Sequence, residues 1–215
     1  MKIEWLGHAC FLVTGAKGTR VITDPYATGE KIMYQPVNAA ADVVLVSHGH
    51  FDHNNVAAVQ GKPEVVTEAG KHRVAGLDIL GVQAFHDGEQ GQQRGKDVIY
   101  TFSVDGIRLC HLGDLGHPLS DAQVKEIGAV DVLFIPVGGF YTLDVAQANE
   151  LCNTLKPKVV IPMHYKTSKL GLPIATVDEF LAKRTQVRRV KGSSVELVPG
   201  KLPAQTETVV LEPAR

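Results

Sequence analysis

The chain has 215 residues, 44% hydrophobic and 21% charged, with a formal net charge of −1. That composition suits an ordinary globule able to bury roughly 70% of its unfolded surface without staples. A balance so near neutral gives no overall field to recruit nucleic acid. No apolar run approaches the ~20 residues of a membrane-spanning helix.

Short strands are predicted at residues 3–6, 10–14, 20–23 and 43–46, with turns marked by Gly15, Gly18, Pro25 and Gly29. Residues 54–61 carry an asparagine start and a glycine stop and predict a helix. Strands resume at 64–67, 77–85, 98–104 and 107–112. In the second half, 120–127 predicts a helix capped by Ser120, and 144–155 one capped by Asp144. Between and after them, 130–137 and 158–162 are continuous apolar runs, the pattern of strands covered on both faces. A helix at 176–183 and a weak strand at 208–211 close the chain. No linker divides it, so residues 1–215 read as a single α/β (α+β) domain: an αββα sandwich, two mixed sheets face to face with helices outside. Cys10, Cys110 and Cys152, odd in number and set among apolar neighbours, read as small buried hydrophobes. They favour a reducing, cytoplasmic setting, as does an N-terminus that enters a strand without a secretory-type segment.

The densest chemistry lies in Ser47-His48-Gly49-His50-Phe51-Asp52-His53, directly after the strand at 43–46. His48 and His50, two apart, project to one side of an extended strand end, while Asp52 and His53 fall beyond the turn and can serve a second cation. A histidine-rich surface loop is the alternative; four potential ligands within six residues favour the metal reading. Three further candidates each follow a predicted strand: His86, Asp114 and His164. Taken singly they could be a surface histidine, a turn former and a satisfied core histidine. Together with the first cluster they suggest strand ends delivering ligands to one rim.

With these residues assembled, the chain resembles the metallo-β-lactamase superfamily. The family's His-x-His-x-Asp-His motif is matched by His48, His50, Asp52 and His53, and its later elements by His86, Asp114 and His164. Trp5-Leu6-Gly7-His8, Ile22-Thr23-Asp24-Pro25 and Ile161-Pro162-Met163-His164-Tyr165 look like the branch that includes ascorbate-6-phosphate lactonase. The resemblance implies two divalent cations, one on His48, His50 and His86, the other on Asp52, His53 and His164, bridged by Asp114. Histidine at position 50, where the superfamily's di-iron oxidoreductases carry glutamate, favours hydrolysis. Histidine and carboxylate donors without a thiolate suit zinc first, manganese as its rival, and nickel or iron after them. A water shared by two cations is acidified toward a pKa of ~7 and attacks an ester, lactone or phosphorylated metabolite.

Asp52 is expected both to ligate and to steer the proton of the attacking water. His8 is a candidate substrate contact or a buried structural histidine, and His117 a leaving-group proton donor or an exposed loop residue. His111 is expected to orient Asp114, Asp24 to hydrogen-bond a ligand histidine or shape its turn, and His72 to lie on the surface. Tyr165, Lys166, Arg94 and Lys96 are candidate contacts to an anionic small-molecule substrate, the last two from a mobile glycine-rich loop at 88–95. A phosphodiesterase or nuclease using the same site is the alternative, though nucleic acid would call for a basic channel the sequence lacks. A non-catalytic metal-binding protein is the third reading. No membrane partner is expected, and a homo-oligomer remains open.

Overall fold

The computed structural model describes residues 1–215. In chain order the early strands are β1 (Lys2–Gly7), β2 (Cys10–Thr14), β3 (Arg20–Thr23), β4 (Val43–Leu45) and β5 (Glu64–Val66). Then come β6 (Gly70–Val74), β7 (Leu77–Phe85), β8 (Lys96–Val104), β9 (Ile107–His111), β10 (Val132–Pro136) and β11 (Val159–Met163). The last are β12 (Val187–Arg189), β13 (Ser194–Glu196) and β14 (Glu207–Val210). The helices are α1 (Asp121–Ile127), α2 (Val145–Leu155) and α3 (Val177–Leu181).

The strands form a six-stranded sheet in the order β13-β1-β2-β3-β4-β5 and an eight-stranded sheet in the order β12-β14-β11-β10-β9-β8-β7-β6. Both are mixed. β1, β2 and β3 pair antiparallel, whereas β3, β4 and β5 run parallel. In the second sheet β6 to β9 are antiparallel, and β9, β10, β11 and β14 are parallel. The sheets meet face to face, as the stacked rings of Phe11 and Phe134 show at 4.3 Å between centroids. This is the two-sheet fold expected from the sequence.

Alternation along the strands sorts the first sheet's side chains into two cores. Ile3, Trp5, Phe11, Val13, Val21, Val43 and Leu45 join the large core between the sheets. Leu6, Cys10, Ile22, Val44 and Val46 point the other way, into a smaller core. That outer core is closed by Tyr26, Ile32, Tyr34, Val37, Leu170, Leu172 and Ile174, all from irregular chain. The helical layer is therefore confined to the second sheet, where α2 makes the crossover between parallel β10 and β11. Both α1 and α2 start with reciprocal capping boxes, Ser120 with Gln123 and Asp144 with Gln147.

The helix expected over 54–61 is instead one 3-10 turn, Val56–Ala58, and Asn55 makes no cap. Its side-chain amide donates to the Tyr26 carbonyl (3.2 Å) and its backbone N–H to the Pro25 carbonyl (2.6 Å), so it ties two loops together. The strands missing from the expectation, β6, β12 and β13, are short and largely exposed, without apolar alternation to mark them. β6 is an edge strand bearing Lys71, His72 and Arg73, charges typical of a guarded edge. The three cysteines are buried and unpaired. No helix is long and apolar enough to cross a membrane.

Candidate metal centre

Seven chain segments leave the sheets along one edge of the sandwich and carry the candidate residues there. Asp24 follows β3, the segment Ser47 to His53 follows β4, and His86 follows β7. Asp114 follows β9, His164 follows β11, His8 sits in the β1–β2 turn, and Asp97 lies at the start of β8. Between His50 and His53 the chain turns, the His53 N–H donating to the His50 carbonyl at 3.0 Å. His8, Asp24 and His164 all have positive φ (53°, 39° and 50°), a left-handed backbone that non-glycine residues adopt at a cost of about 1 kcal/mol or more. Two glycines permit the close packing: a Cβ on Gly113 would fall 2.6 Å from Ser47 Cβ and closer still to Asp97 Oδ1, and one on Gly138 would collide with the His164 carbonyl.

The seven candidate residues come together on this edge. Coordinating atoms of His48, His50 and His86 lie within 4.8 Å of one another, as do those of Asp52, His53 and His164 together with His8. Asp114 reaches both: its Oδ2 is 3.2 Å from His86 Nε2, 3.3 Å from His53 Nε2, 3.2 Å from His164 Nε2 and 4.0 Å from His48 Nε2. His48 Nε2, His53 Nε2 and Asp114 Oδ1 are buried with no hydrogen-bond partner. Lone pairs left unpaired at that depth are costly unless an electrophile takes them, so this donor set fits divalent cations.

Beneath the ligands a hydrogen-bond floor sets their tautomers. Buried Asp24 accepts the Ser47 N–H on Oδ1 (2.7 Å) and, on Oδ2, the Ser47 hydroxyl (2.7 Å), His53 Nδ1–H (3.0 Å) and His111 Nε2–H (2.8 Å). Because the Ser47 hydroxyl donates to Asp24, its oxygen accepts His48 Nδ1–H at 2.9 Å. Both His48 and His53 thus carry their proton on Nδ1 and present a bare Nε2 to the cluster, the arrangement a metal requires. Asp97, also buried, accepts the Asp114 N–H (3.2 Å) and lies 3.5 Å from His48 Nδ1. His111, expected to orient Asp114, reaches the floor through Asp24 instead. Ser47 and Asp97 carry no signal of this role in the sequence beyond, for Asp97, a carboxylate beside the apolar pair Val98-Ile99.

Electrostatics follow this geometry. Burial alone would raise the Asp114, Asp24 and Asp52 carboxyls, but their histidine neighbours hold all three below the ordinary carboxylate range. The same pairing works in reverse on His53 and His86: burial opposes their protonation, yet Asp114 raises both. His8 goes down to about 4, through burial and the neighbouring His164, with the Asp52 hydrogen bond offsetting only part.

Above the ligands opens a cavity of about 370 Å³ whose lining includes Asp52, Lys31, Arg94, Tyr141, Phe51 and Leu172. Several expected contacts do not reach it. His8 is fully buried, its Nε2 donating to Asp52 Oδ2 at 3.2 Å, and it does not line the cavity. His117, expected as a proton donor, is turned away: Nε2 accepts the Phe85 N–H (3.2 Å) and Nδ1–H donates to the Pro118 carbonyl (2.8 Å). Both of its ring nitrogens are thus occupied by backbone groups. Tyr165 is buried with its hydroxyl toward the Leu211 carbonyl, and the Lys166 ammonium donates to the Leu172 carbonyl at 3.0 Å. Lys96 lines an adjoining groove, and Arg94, like His50, faces both spaces. The loop at 88–95, expected to be mobile, is gathered by Asp87, whose carboxylate accepts the N–H groups of Glu89, Gly91, Gln93 and Arg94. Those donors outweigh the opposing effect of burial and lower its pKa to about 2.

Residues 2–164 match the family described as the Beta-lactamase superfamily domain. The chain belongs to the metallo-β-lactamase superfamily. Within that superfamily it is similar to a UPF0173 metal-dependent hydrolase of Archaeoglobus fulgidus, 31% identical in an alignment, 227 positions long with its gaps, that covers 92% of this chain and 95% of that protein. A UPF0173 metal-dependent hydrolase of Carboxydothermus hydrogenoformans is 34% identical over 194 residues, 78% of this chain and 85% of the relative. The crystal structure of a candidate Zn-dependent hydrolase of the superfamily from Thermotoga maritima superposes with a TM-score of 0.82 at 41% identity, covering 98% of both chains. The chain is accordingly a metal-dependent hydrolase of the UPF0173 group.

Proposed function

We propose that this hydrolase works with two divalent cations, on an ester, lactone or phosphorylated small metabolite. The observation that carries the reading is the Asp114 carboxylate, within 4.0 Å of imidazole nitrogens from both ligand sets. His48, His50 and His86 would hold one cation, Asp52, His53 and His164 the other, and Asp114 would serve both. When bound, such a pair supplies an acidified water and positive charge for the oxyanion that develops on the substrate.

The chain's own residues do the rest. Ser47 and Asp24 keep His48 and His53 in the tautomer that leaves Nε2 free. Asp52 lines the cavity with Oδ2 tied to His8, which leaves Oδ1 to orient the proton of the attacking water. The cavity's volume falls in the range of small-molecule sites. Zinc is the favoured ion and manganese its rival, since the donors are imidazole and carboxylate with no thiolate. Three buried, unpaired thiols support a reducing, cytoplasmic setting.

Elemental analysis of the purified protein, then a hydrolysis screen with the metal found, tests this reading. Two cations per chain and turnover of an ester, lactone or phosphorylated metabolite are expected. A single cation per chain, or metal-replete protein inert across ester, lactone and phosphodiester panels, would remove it. Turnover confined to phosphodiesters would replace it with the phosphodiesterase alternative.

A further inference from the structure

The cavity above the ligands carries two cations of its own that the metal chemistry leaves unused. Lys31 and Arg94 both line it, and neither takes part in any ion pair of the molecule. Other cations with acidic neighbours do pair: Arg73 with Asp78, Arg188 with Glu207 and Arg189 with Asp178. The only carboxylates in the lining, Asp52 and Asp114, are engaged with histidines.

Arg94 is held at its backbone and its guanidinium, Lys31 by its backbone alone. Arg94 has its N–H on Asp87 Oδ2 at 2.7 Å, and its guanidinium lies 5.6 Å from the centroid of the Tyr141 ring, within cation–π range. Stacking orients the guanidinium without neutralising it and leaves its N–H edge free to bind an oxyanion in bidentate fashion. Lys31 sits on a segment paired to the chain opposite: the Gly171 N–H donates to the Lys31 carbonyl (2.7 Å), and the Met33 N–H to the Lys169 carbonyl (2.9 Å). Its neighbour Ile32 bridges to Leu170 and is fully buried. Two unpaired cations lining one small cavity, one of them oriented by an aromatic ring, constitute a receptor for negative charge.

We infer that Lys31 and Arg94 form an anion clamp, so that the substrate is an ester or lactone carrying a separate carboxylate or phosphate group which these two residues bind while the scissile bond lies over the metal ligands. The inference rests on the hydrolytic reading above for the scissile bond, but the clamp itself can be measured without turnover.

Metal-replete protein is titrated calorimetrically with acetate, succinate and 3-phosphonopropionate. Each can place one carboxylate on the metals, and only the latter two offer a second anion. At least tenfold tighter binding of either bifunctional probe is expected, and the tighter one names the anion as carboxylate or phosphate. Lys31→Gln and Arg94→Gln should each reduce that preference by about tenfold, the magnitude of a charge-assisted hydrogen bond. Lys96→Gln removes the same charge from the adjoining groove and should preserve it. Equal affinity for all three probes would overturn the clamp; so would a preference that survives both substitutions, or one lost equally in Lys96→Gln. A kinetic arm compares 4-nitrophenyl acetate with mono-4-nitrophenyl succinate. Hydrolysis of both with no preference for the charged ester defeats the clamp and leaves the hydrolase reading standing. Discrimination in binding with no hydrolysis of any ester does the reverse.

Discussion

The floor of the site and its rim are built on opposite principles. The floor is buried and tied together through one carboxylate: Asp24 alone accepts four hydrogen bonds, and His8, Asp24, His53, Asp97, His111 and Asp114 are all buried. At the rim, Phe51 is 60% exposed, and Lys31 and Arg94 have no ion-pair partners. The difference separates two tasks. A ligand must hold one tautomer and one orientation, which a saturated network secures; a substrate contact needs open valence, which saturation would remove.

Substitutions that cross this boundary should differ sharply in effect. Asp114→Ala removes the one carboxylate common to both ligand sets; hydrolysis should fall to background and the metal content of dialysed protein should drop, and retention of full metal content would show that Asp114 is no shared ligand. Gly113→Ala forces a Cβ against Ser47 and Asp97 at a φ of 55°. Overpacking and left-handed strain together predict about 3 kcal/mol of destabilisation in denaturant melts, and an unchanged midpoint would mean that the floor yields more readily than its packing implies. Asp24→Asn keeps the shape and loses the charge. Metal affinity should weaken roughly 10–100-fold, and unaltered affinity in a chelator competition would demote Asp24 to a turn former.

A gentler probe is pH. In the metal-free protein Asp114 raises the pKa values of His53 and His86 against the opposing effect of burial, so cation binding must displace protons. Affinity should climb with pH, by about tenfold per unit for each proton displaced, and level off above the raised values. Calorimetry in buffers of differing protonation enthalpy reads the release, and a signal independent of buffer would contradict it. The smallest effect belongs to an exposed ring outside the cavity lining: Phe140, 68% exposed, changed to serine (Phe140→Ser) should alter stability by no more than about 0.5 kcal/mol, and a larger loss would show that the ring packs in solution.

The strands most legible in sequence were those with long apolar or alternating runs. β7 was expected at residues 77–85 and observed as Leu77–Phe85, and the caps Ser120 and Asp144 stand where their side chains predicted. β12 and β13 were not legible, being three residues each and mostly exposed. The ligand cluster was legible because its residues follow apolar strands in a recognisable motif. Lys31 and Tyr141 were not, because nothing local distinguishes a lysine over a cavity from one in solvent; only tertiary pairing of the 29–34 segment with residues 169–171 brings Lys31 there. His117 misled for the converse reason: proximity to Asp114 along the chain says nothing of which way a ring turns after Gly116.

The ribbon that carries Lys31 has one further property. Residues 31 to 34 alternate outward and inward, with Lys31 and Met33 exposed and Ile32 and Tyr34 buried in the smaller core. The strip that reads the incoming molecule is therefore also the lid nailed over the six-stranded sheet. A one-residue insertion there would swap the two roles, turning the lysine into the hydrophobic interior and an isoleucine toward the visitor. Selectivity in this protein can be retuned by exchange of residues along that strip, and scarcely at all by changes in its length.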